Sequence, residues 1–315
     1  MHAIICQQRC VMYYYTKEEL YVLAREILKA NGFDSNINIV PINLGFNRTI
    51  YNIDNNYILK ICLKPKKEKD TVNEINFLEN DKNSFHPQIL HFDITKQVFP
   101  FIYSIEEYVK GKPLFEVWDN LSSDNRIKIL KKISLYMKQI HNKNSNHNCI
   151  NLLENEFNKY INLLENYLSL EKLNYLKELV DIIKYHFVGA KECKIHGDLH
   201  FNNIIYDVNS NEIKFIDFES YKDGFIEEEF STLERMSKNP NSLIKKNLQL
   251  PVIDNNYIEV IKYIKSFSNY SSIEYVDRIL VYNSLNAIKW IAAYPNKLLN
   301  EKRKVLFQES KKLFK

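Results

Sequence analysis

Two short segments constrain this chain more than any other part of it: His196-Gly197-Asp198-Leu199-His200-Phe201-Asn202-Asn203 and, nineteen positions after that Asp, Ile216-Asp217-Phe218-Glu219. An Asp followed five residues later by an Asn can present one carboxylate to a hydroxyl while the amide oxygen reaches a metal ion. A second Asp at the end of the next apolar run adds another hard oxygen donor. A lone Asp-x-x-x-x-Asn is a weak pattern. Reading Asp198 as a turn residue and Asp217 as a strand-end cap leaves the spacing to Asn203 unexplained. The whole set supplies what phosphoryl transfer needs: a group that orients or deprotonates an acceptor, and two ligands for Mg²⁺ on nucleotide phosphates.

The rest of the chain sets bounds. At 315 residues it is long enough for two apolar cores. With 45% hydrophobic and 26% charged residues it has an ordinary globular composition, neither disordered nor membrane-embedded. A net charge of +4, with basic and acidic residues interleaved, does not indicate a nucleic-acid surface. The densest basic run, Lys64 to Lys69, reads as a solvated loop before a helix. The five cysteines lack paired Cys-x-x-Cys spacing, and Cys6, Cys10 and His2 lack a fourth partner for a metal site. No apolar run approaches the roughly 20 residues that span a bilayer, and the start lacks a secretory pattern. The expectation is a cytoplasmic protein with no nucleic-acid or membrane partner, a monomer or weak dimer.

Periodicity divides the chain. Thr16-Lys17-Glu18-Glu19 fits a capping box, and Leu20, Leu23, Ile27 and Leu28 follow at helical spacing until Lys29 and Gly32. Residues 37–54 and 57–63 read as strands meeting in a tight turn at Asn55-Asn56. A helix over 71–80 and strands over 88–92 and 98–105 follow. Beyond Pro113 nearly everything except 194–218 carries helical periodicity, with an apolar stripe at Ile129, Ile133, Met137 and Ile140. Residues 152–168 and 171–187 read as a helical hairpin, and 273–293 and 296–314 as two long terminal helices.

The catalytic-loop segment resembles that of protein kinases, with Gly197 where those carry Arg and Phe218-Glu219 where those carry Phe-Gly. That combination resembles the aminoglycoside phosphotransferase and choline kinase-like family of small-molecule kinases. The resemblance implies an α+β, two-lobe protein-kinase-like fold: an N-terminal antiparallel sheet lobe over 1–108 that binds nucleotide, a hinge at 109–113, and a larger helical lobe over 114–315. It implies ATP or GTP as donor, Mg²⁺ as cofactor and a small-molecule hydroxyl as acceptor.

Carried over residue by residue, the family pattern makes Asp198 the catalytic residue and Asn203 and Asp217 the metal ligands. Lys60, on a strand, and Glu74, fourteen residues later on a helix, fit the pair that holds the α- and β-phosphates. Each has another reading: Lys60 as an aggregation guard on an edge strand, and Glu74 as the closing member of a capping box opened by Thr71. Residues 43–49 stand where a phosphate-covering loop is expected, but with a single glycine. Asn47 and Arg48 are its candidates for phosphate contact, and a surface hairpin would choose the same residue types. Glu107, Tyr108 and Val109 align with the segment that meets the adenine edge. Glu106 departs from the usual apolar residue and leaves the choice between ATP and GTP open. His196 is expected to support the loop, and His141 to be a satisfied core residue.

On the acceptor side, Glu219, Asp223 and the run Glu227 to Glu229 would suit a cationic ligand, although three carboxylates also suit the start of a helix. The resemblance points first to an aminoglycoside and so to antibiotic resistance. A sugar, an amino alcohol or another metabolite stands beside it. From a different class, a catalytically weak nucleotide-binding regulator would keep the fold with little transfer.

Overall fold

A computed structural model describes residues 15–44, 48–243, 252–253, 255–268 and 274–293. Contacts divide the chain into two compact units. One takes in the chain to Lys82 with Pro87–Tyr108; the other takes in Asn83–His86 and the chain from Val109 onward. The fold class is α+β, as expected: an antiparallel sheet with two helices in the first unit, and a largely helical second unit.

In the first unit, α1 (Lys17–Ala30) opens on the expected capping box. The Thr16 hydroxyl accepts from the Glu19 amide at 3.1 Å, and the Glu19 carboxylate accepts from the Thr16 amide at 2.7 Å. Gly32, at φ +82°, lets the chain turn away from the helix. The buried face of α1, including Ala24, Ile27 and Leu28, packs with Ile53, Leu59, Ile61 and Ile105 of the sheet. That sheet has the order β1 (Ile39–Leu44), β2 (Arg48–Ile53), β3 (Tyr57–Cys62), β5 (Ile102–Glu107), β4 (Ile89–Asp93), with every neighbouring pair antiparallel.

Three local boundaries differ from the sequence reading. The positive φ angles of the β2–β3 turn fall at Asp54 and Asn55, one residue early. Asn52 explains this, because its side-chain oxygen accepts from the Asn55 amide at 2.8 Å and closes the turn there. The second helix, α2 (Glu68–Asn80), starts before Thr71, whose hydroxyl donates to the Lys67 carbonyl at 3.0 Å. The strand expected from residue 98 begins at Ile102, beyond Pro100, which has no N–H to give to a ladder.

The second unit runs α3 (Leu114–Val117), α4 (Ser123–His141), α5 (Cys149–Leu163), α6 (Leu170–Phe187), α7 (Ile226–Lys238), α8 (Asn255–Ile258), α9 (Val260–Ser268) and α10 (Glu274–Ala293). Its main core joins α5, α6 and α10 through residues such as Phe157, Leu176, Ile183, Leu285 and Ile288. Two small sheets carry the loops of interest: β6 (Lys112–Pro113), β8 (Ile204–Asp207) and β9 (Glu212–Phe215) in one, and β7 (Glu192–Ile195) with β10 (Lys222–Phe225) in the other. Helical periodicity hid β10, because Lys-Asp-Gly-Phe is a poor strand by composition and pairing with β7 overrides it. The helix expected over 296–314 lies outside the described residues. The described cysteines Cys62, Cys149 and Cys193 are free. No described helix is long and apolar enough to cross a membrane.

Thr16→Ala removes the cap acceptor of α1 and is expected to cost about 1 kcal/mol in denaturant unfolding, with the fold unchanged by circular dichroism.

Candidate active site

In the first unit the functional candidates converge on one buried charge cluster. Lys60 pairs with Ser104 across the β3–β5 ladder, and strand alternation puts Ser104 and Glu106 on the same face as Lys60. The Lys60 Nζ lies 2.9 Å from Glu74 Oε1 and 2.8 Å from Glu106 Oε2. Arg48 Nη1 lies 2.8 Å from the other Glu74 oxygen, and its Nη2 donates to Thr71 Oγ1 at 3.1 Å. Ser104 donates to Glu106 at 2.7 Å. Two cations thus face two carboxylates that are 1% and 2% exposed, so the buried charges cancel locally.

The electrostatics follow from that balance. Burial pushes the Glu74 carboxyl up, but Lys60 and Arg48 more than reverse this and hold it at about 2. Burial also raises Glu106; Lys60 offsets this only in part, and Glu74 adds repulsion, so Glu106 ends above the usual carboxylate range. Lys60 is pulled down by burial and lifted further by Glu106 and Glu74, so it stays charged at neutral pH.

Three competing sequence readings fall here. Lys60 is on β3, in the middle of the sheet, so it guards no edge. Glu74 lies inside α2 and closes no capping box. Arg48 is buried against Glu74 instead of lining a surface hairpin. Asn47 lies outside the described residues. The Glu107 amide donates to the Gln88 carbonyl at 2.8 Å, and the Tyr108 amide to the Asn56 carbonyl at 2.9 Å, so both N–H groups are taken within the sheet unit. Val109 is the first residue of the second unit.

In the second unit the catalytic-loop segment is tied down from several sides. His196 is fully buried at the end of β7. Its Nε2 bonds the Ile216 carbonyl at 3.1 Å, and the Asp198 amide donates to its Nδ1 at 3.4 Å, which sets the proton on Nε2. The His196 amide donates to Glu229 on α7, whose other oxygen meets His141 Nε2 at 2.7 Å. His141 is therefore a satisfied core histidine. Gly197 has φ +83°, and a Cβ there would stand 2.2 Å from the Ser220 carbonyl oxygen. No side chain fits, which explains Gly at this position.

The two expected metal ligands sit on the same framework. The Asn203 amide nitrogen donates to the Asp198 carbonyl at 3.0 Å, leaving its oxygen as the acceptor end of that side chain. The Ile216 amide donates to the Asn203 carbonyl at 2.9 Å, tying the loop to the segment before Asp217. Asp217 adopts φ 67° and ψ 64°, a left-handed conformation that a non-glycine residue holds only under constraint. Among the described residues its carboxylate has no hydrogen-bond or ion-pair partner. Asn203 and Asp217 thus offer hard oxygens of the kind a hard divalent cation takes.

Asp198 remains open, with 51% of its side chain exposed and His200 Nε2 at 3.8 Å. Partial burial raises its carboxyl above the usual range; His200 and His196 oppose this and Asp217 adds to it, while solvent screens the effect. Downstream, Glu227 to Glu229 begin α7 as the helix-start reading expects. Each is paired: Glu227 with Arg278, Glu228 with Lys222, and Glu229 with His141. Asp223 is held by Lys194 at 2.6 Å and His147 at 2.5 Å.

Residues 38–242 match the model of a family described as the phosphotransferase enzyme family. The chain belongs to that family. The structure of a streptomycin–ATP–APH(2")-IIa ternary complex superposes on this phosphotransferase with a TM-score of 0.70, at 17% identity, covering 96% of this chain and 99% of that one. The aminoglycoside phosphotransferase APH(2'')-Ib, ADP-bound, gives 0.64 at 16% identity, covering 95% and 97%. A choline/ethanolamine kinase family protein from Mesorhizobium loti gives 0.55 at 13% identity, covering 94% and 95%. No curated protein matches the chain by sequence. At these identities the likeness is one of fold: the phosphotransferase has the two-lobe, protein-kinase-like α+β architecture.

Sequence reasoning named Glu106 and Glu229 but missed the partners the structure gives them. Glu106 was read as a departure, yet the period-2 stripe of Lys60, Ser104 and Glu106 across paired strands carried a signal. Glu229 gave none, since it lies 33 residues from the backbone it binds.

Gly197→Ala is expected to unfold the loop locally and cost about 2 kcal/mol or more, read as a drop in thermal midpoint and greater amide exchange over 196–203. Because the folded carboxyl of Glu74 is depressed from 4.5 to about 2, its stabilising contribution is present above pH 4.5 and is lost as pH falls toward 2. Glu74→Gln should flatten that acid limb in a pH series of denaturant unfolding.

Proposed function

We propose that this phosphotransferase moves the γ-phosphoryl group of ATP or GTP to a hydroxyl of a small molecule. The observation that carries the reading is the held catalytic loop: an open Asp198 carboxylate on a backbone fixed by His196, Gly197 and Asn203, beside an unpartnered Asp217 in a strained conformation. Asp198 would orient the acceptor hydroxyl and take its proton, and its raised affinity for protons helps the second task. Asn203 and Asp217 would hold Mg²⁺, which when bound offsets the charge on the transferring phosphate. Lys60, kept charged by two carboxylates, would hold the nucleotide phosphates, with Glu74 fixing it. Since the Glu107 amide is engaged, the base edge would be met by the Glu107 carbonyl and the Val109 amide, with Tyr108 alongside.

Likeness to the streptomycin-bound structure makes aminoglycosides the first acceptors to test. Likeness to the choline/ethanolamine kinase family protein adds amino alcohols, and sugars complete the panel.

Turnover of Mg-ATP and Mg-GTP against that panel, with product identified by the mass of one added phosphate, tests the reading. Asp198→Ala is expected to fold normally and to lose about 10²–10⁴-fold in kcat. Retained turnover in that variant, or no phosphorylated product from any acceptor, would count against it.

A further inference from the structure

Of the acidic candidates of the second unit, Asp223 and Glu227 to Glu229 are engaged in ion pairs. One cation is not. Arg235, half-buried on α7, makes no ion pair with any carboxylate among the described residues. Its Nη1 donates to Ser231 Oγ at 2.5 Å and its Nη2 to Thr232 Oγ1 at 3.0 Å. Ser231 in turn donates to Asn283 on α10 at 3.2 Å. These neutral hydroxyls use two of five N–H donors and fix the guanidinium plane without meeting its charge.

The position of this fork is defined by its neighbours. Gly197, next to Asp198, abuts the Ser220 carbonyl. Two residues on, Lys222 pairs with Ile195 at the start of the catalytic loop and reaches Glu228 on α7 at 2.7 Å. Glu228, Thr232 and Arg235 then follow at i, i+4 and i+7, on one face of α7. The charge of Arg235 acts on the Asp198 carboxylate. A planar, oriented guanidinium with no ion-pair partner among the described residues therefore lies within the electrostatic reach of Glu228, the proposed acceptor-orienting Asp198, and Glu234.

We infer that Arg235 binds an oxyanion, carboxylate or phosphate, carried by the hydroxyl acceptor, so that the acceptor is an anionic small molecule and not a polycation. Resting on the phosphotransfer reading above, this narrows its acceptor class and sets aside the aminoglycosides that the fold likeness puts first in the panel. The physical reason is that a fork held by neutral groups lacks only a bidentate anionic partner, and such charge-assisted pairs are among the strongest hydrogen bonds.

A matched set separates the possibilities, since D-glucose, D-gluconate and D-glucose 6-phosphate share a polyol chain and differ in charge, while kanamycin supplies the cationic arm. The anionic members are expected to be preferred in kcat/KM, gluconate indicating a carboxylate site and glucose 6-phosphate a phosphate site. Arg235→Gln should raise their KM about 10- to 100-fold while kcat is kept, and Arg235→Lys should recover part of that loss. Preference for kanamycin or glucose with a KM indifferent to Arg235→Gln would overturn the inference. So would an equal fall in kcat for all acceptors with a shifted pH profile, which would mean that Arg235 only tunes Asp198.

If no acceptor turns over, the phosphotransfer reading is what suffers, and a second measurement decides this inference. Phenylglyoxal modification of Arg235, followed by peptide mass spectrometry, should be slowed by malonate or inorganic phosphate relative to chloride at equal ionic strength. Lack of protection by both anions would overturn it.

Discussion

A buried carboxylate must find partners, and the second unit is organised around one that does. Glu229 is fully buried, with one oxygen toward His141 on α4 and the other toward the His196 amide at the head of the catalytic loop. Burial would raise its carboxyl, but His141 reverses the push, so Glu229 rests below the usual range and keeps its charge. A charge this deep would be costly if either partner moved. Through it, α4, α7 and the loop share one position, and the His196 ring then sets Asp198 on one side and Ile216 on the other.

The first unit solves a similar problem differently. Here four charges alternate in a row, Arg48, Glu74, Lys60 and Glu106, so that each buried ion has an opposite neighbour. Each carboxylate also receives further support, Glu106 from Ser104 and Glu74 from the second cation. The row leaves Lys60 charged and held from two sides, which limits its motion to what the two carboxylates permit. Glu106 is the weak point of the row: it answers a single cation, and its affinity for protons is raised accordingly.

Much of this was legible in the sequence because it was local. The capping box of α1, the apolar stripe of α4, the β2–β3 hairpin and the spacing from Asp198 to Asn203 and Asp217 are short-range patterns with direct physical causes. Where reading failed, a side-chain bond or a distant partner decided the outcome. The turn moved to Asp54-Asn55 because the Asn52 side chain closes it. β10 formed from an unpromising tetrapeptide because β7 offered a ladder. Arg48 looked like a surface hairpin residue because nothing within the hairpin reveals Glu74, which lies 26 positions away. The presence of Glu229 and Arg235 in their neighbourhoods is likewise a product of packing, to which composition and periodicity are blind.

One consequence concerns how such a site can be altered. The loop bearing Asp198 is secured by the side chains of His196, Asn203 and Glu229 bonding to main-chain groups, and by the close fit at Gly197, whereas Glu228, Thr232 and Arg235 lie on a single face of α7. Loop support by Glu229 and the inferred acceptor contact of Arg235 therefore come from different residues of one helix. A library confined to Thr232 and Arg235 would vary the inferred acceptor contacts while leaving His196, Gly197, Asn203 and Glu229 in place, which makes that part of α7 a handle for redesign.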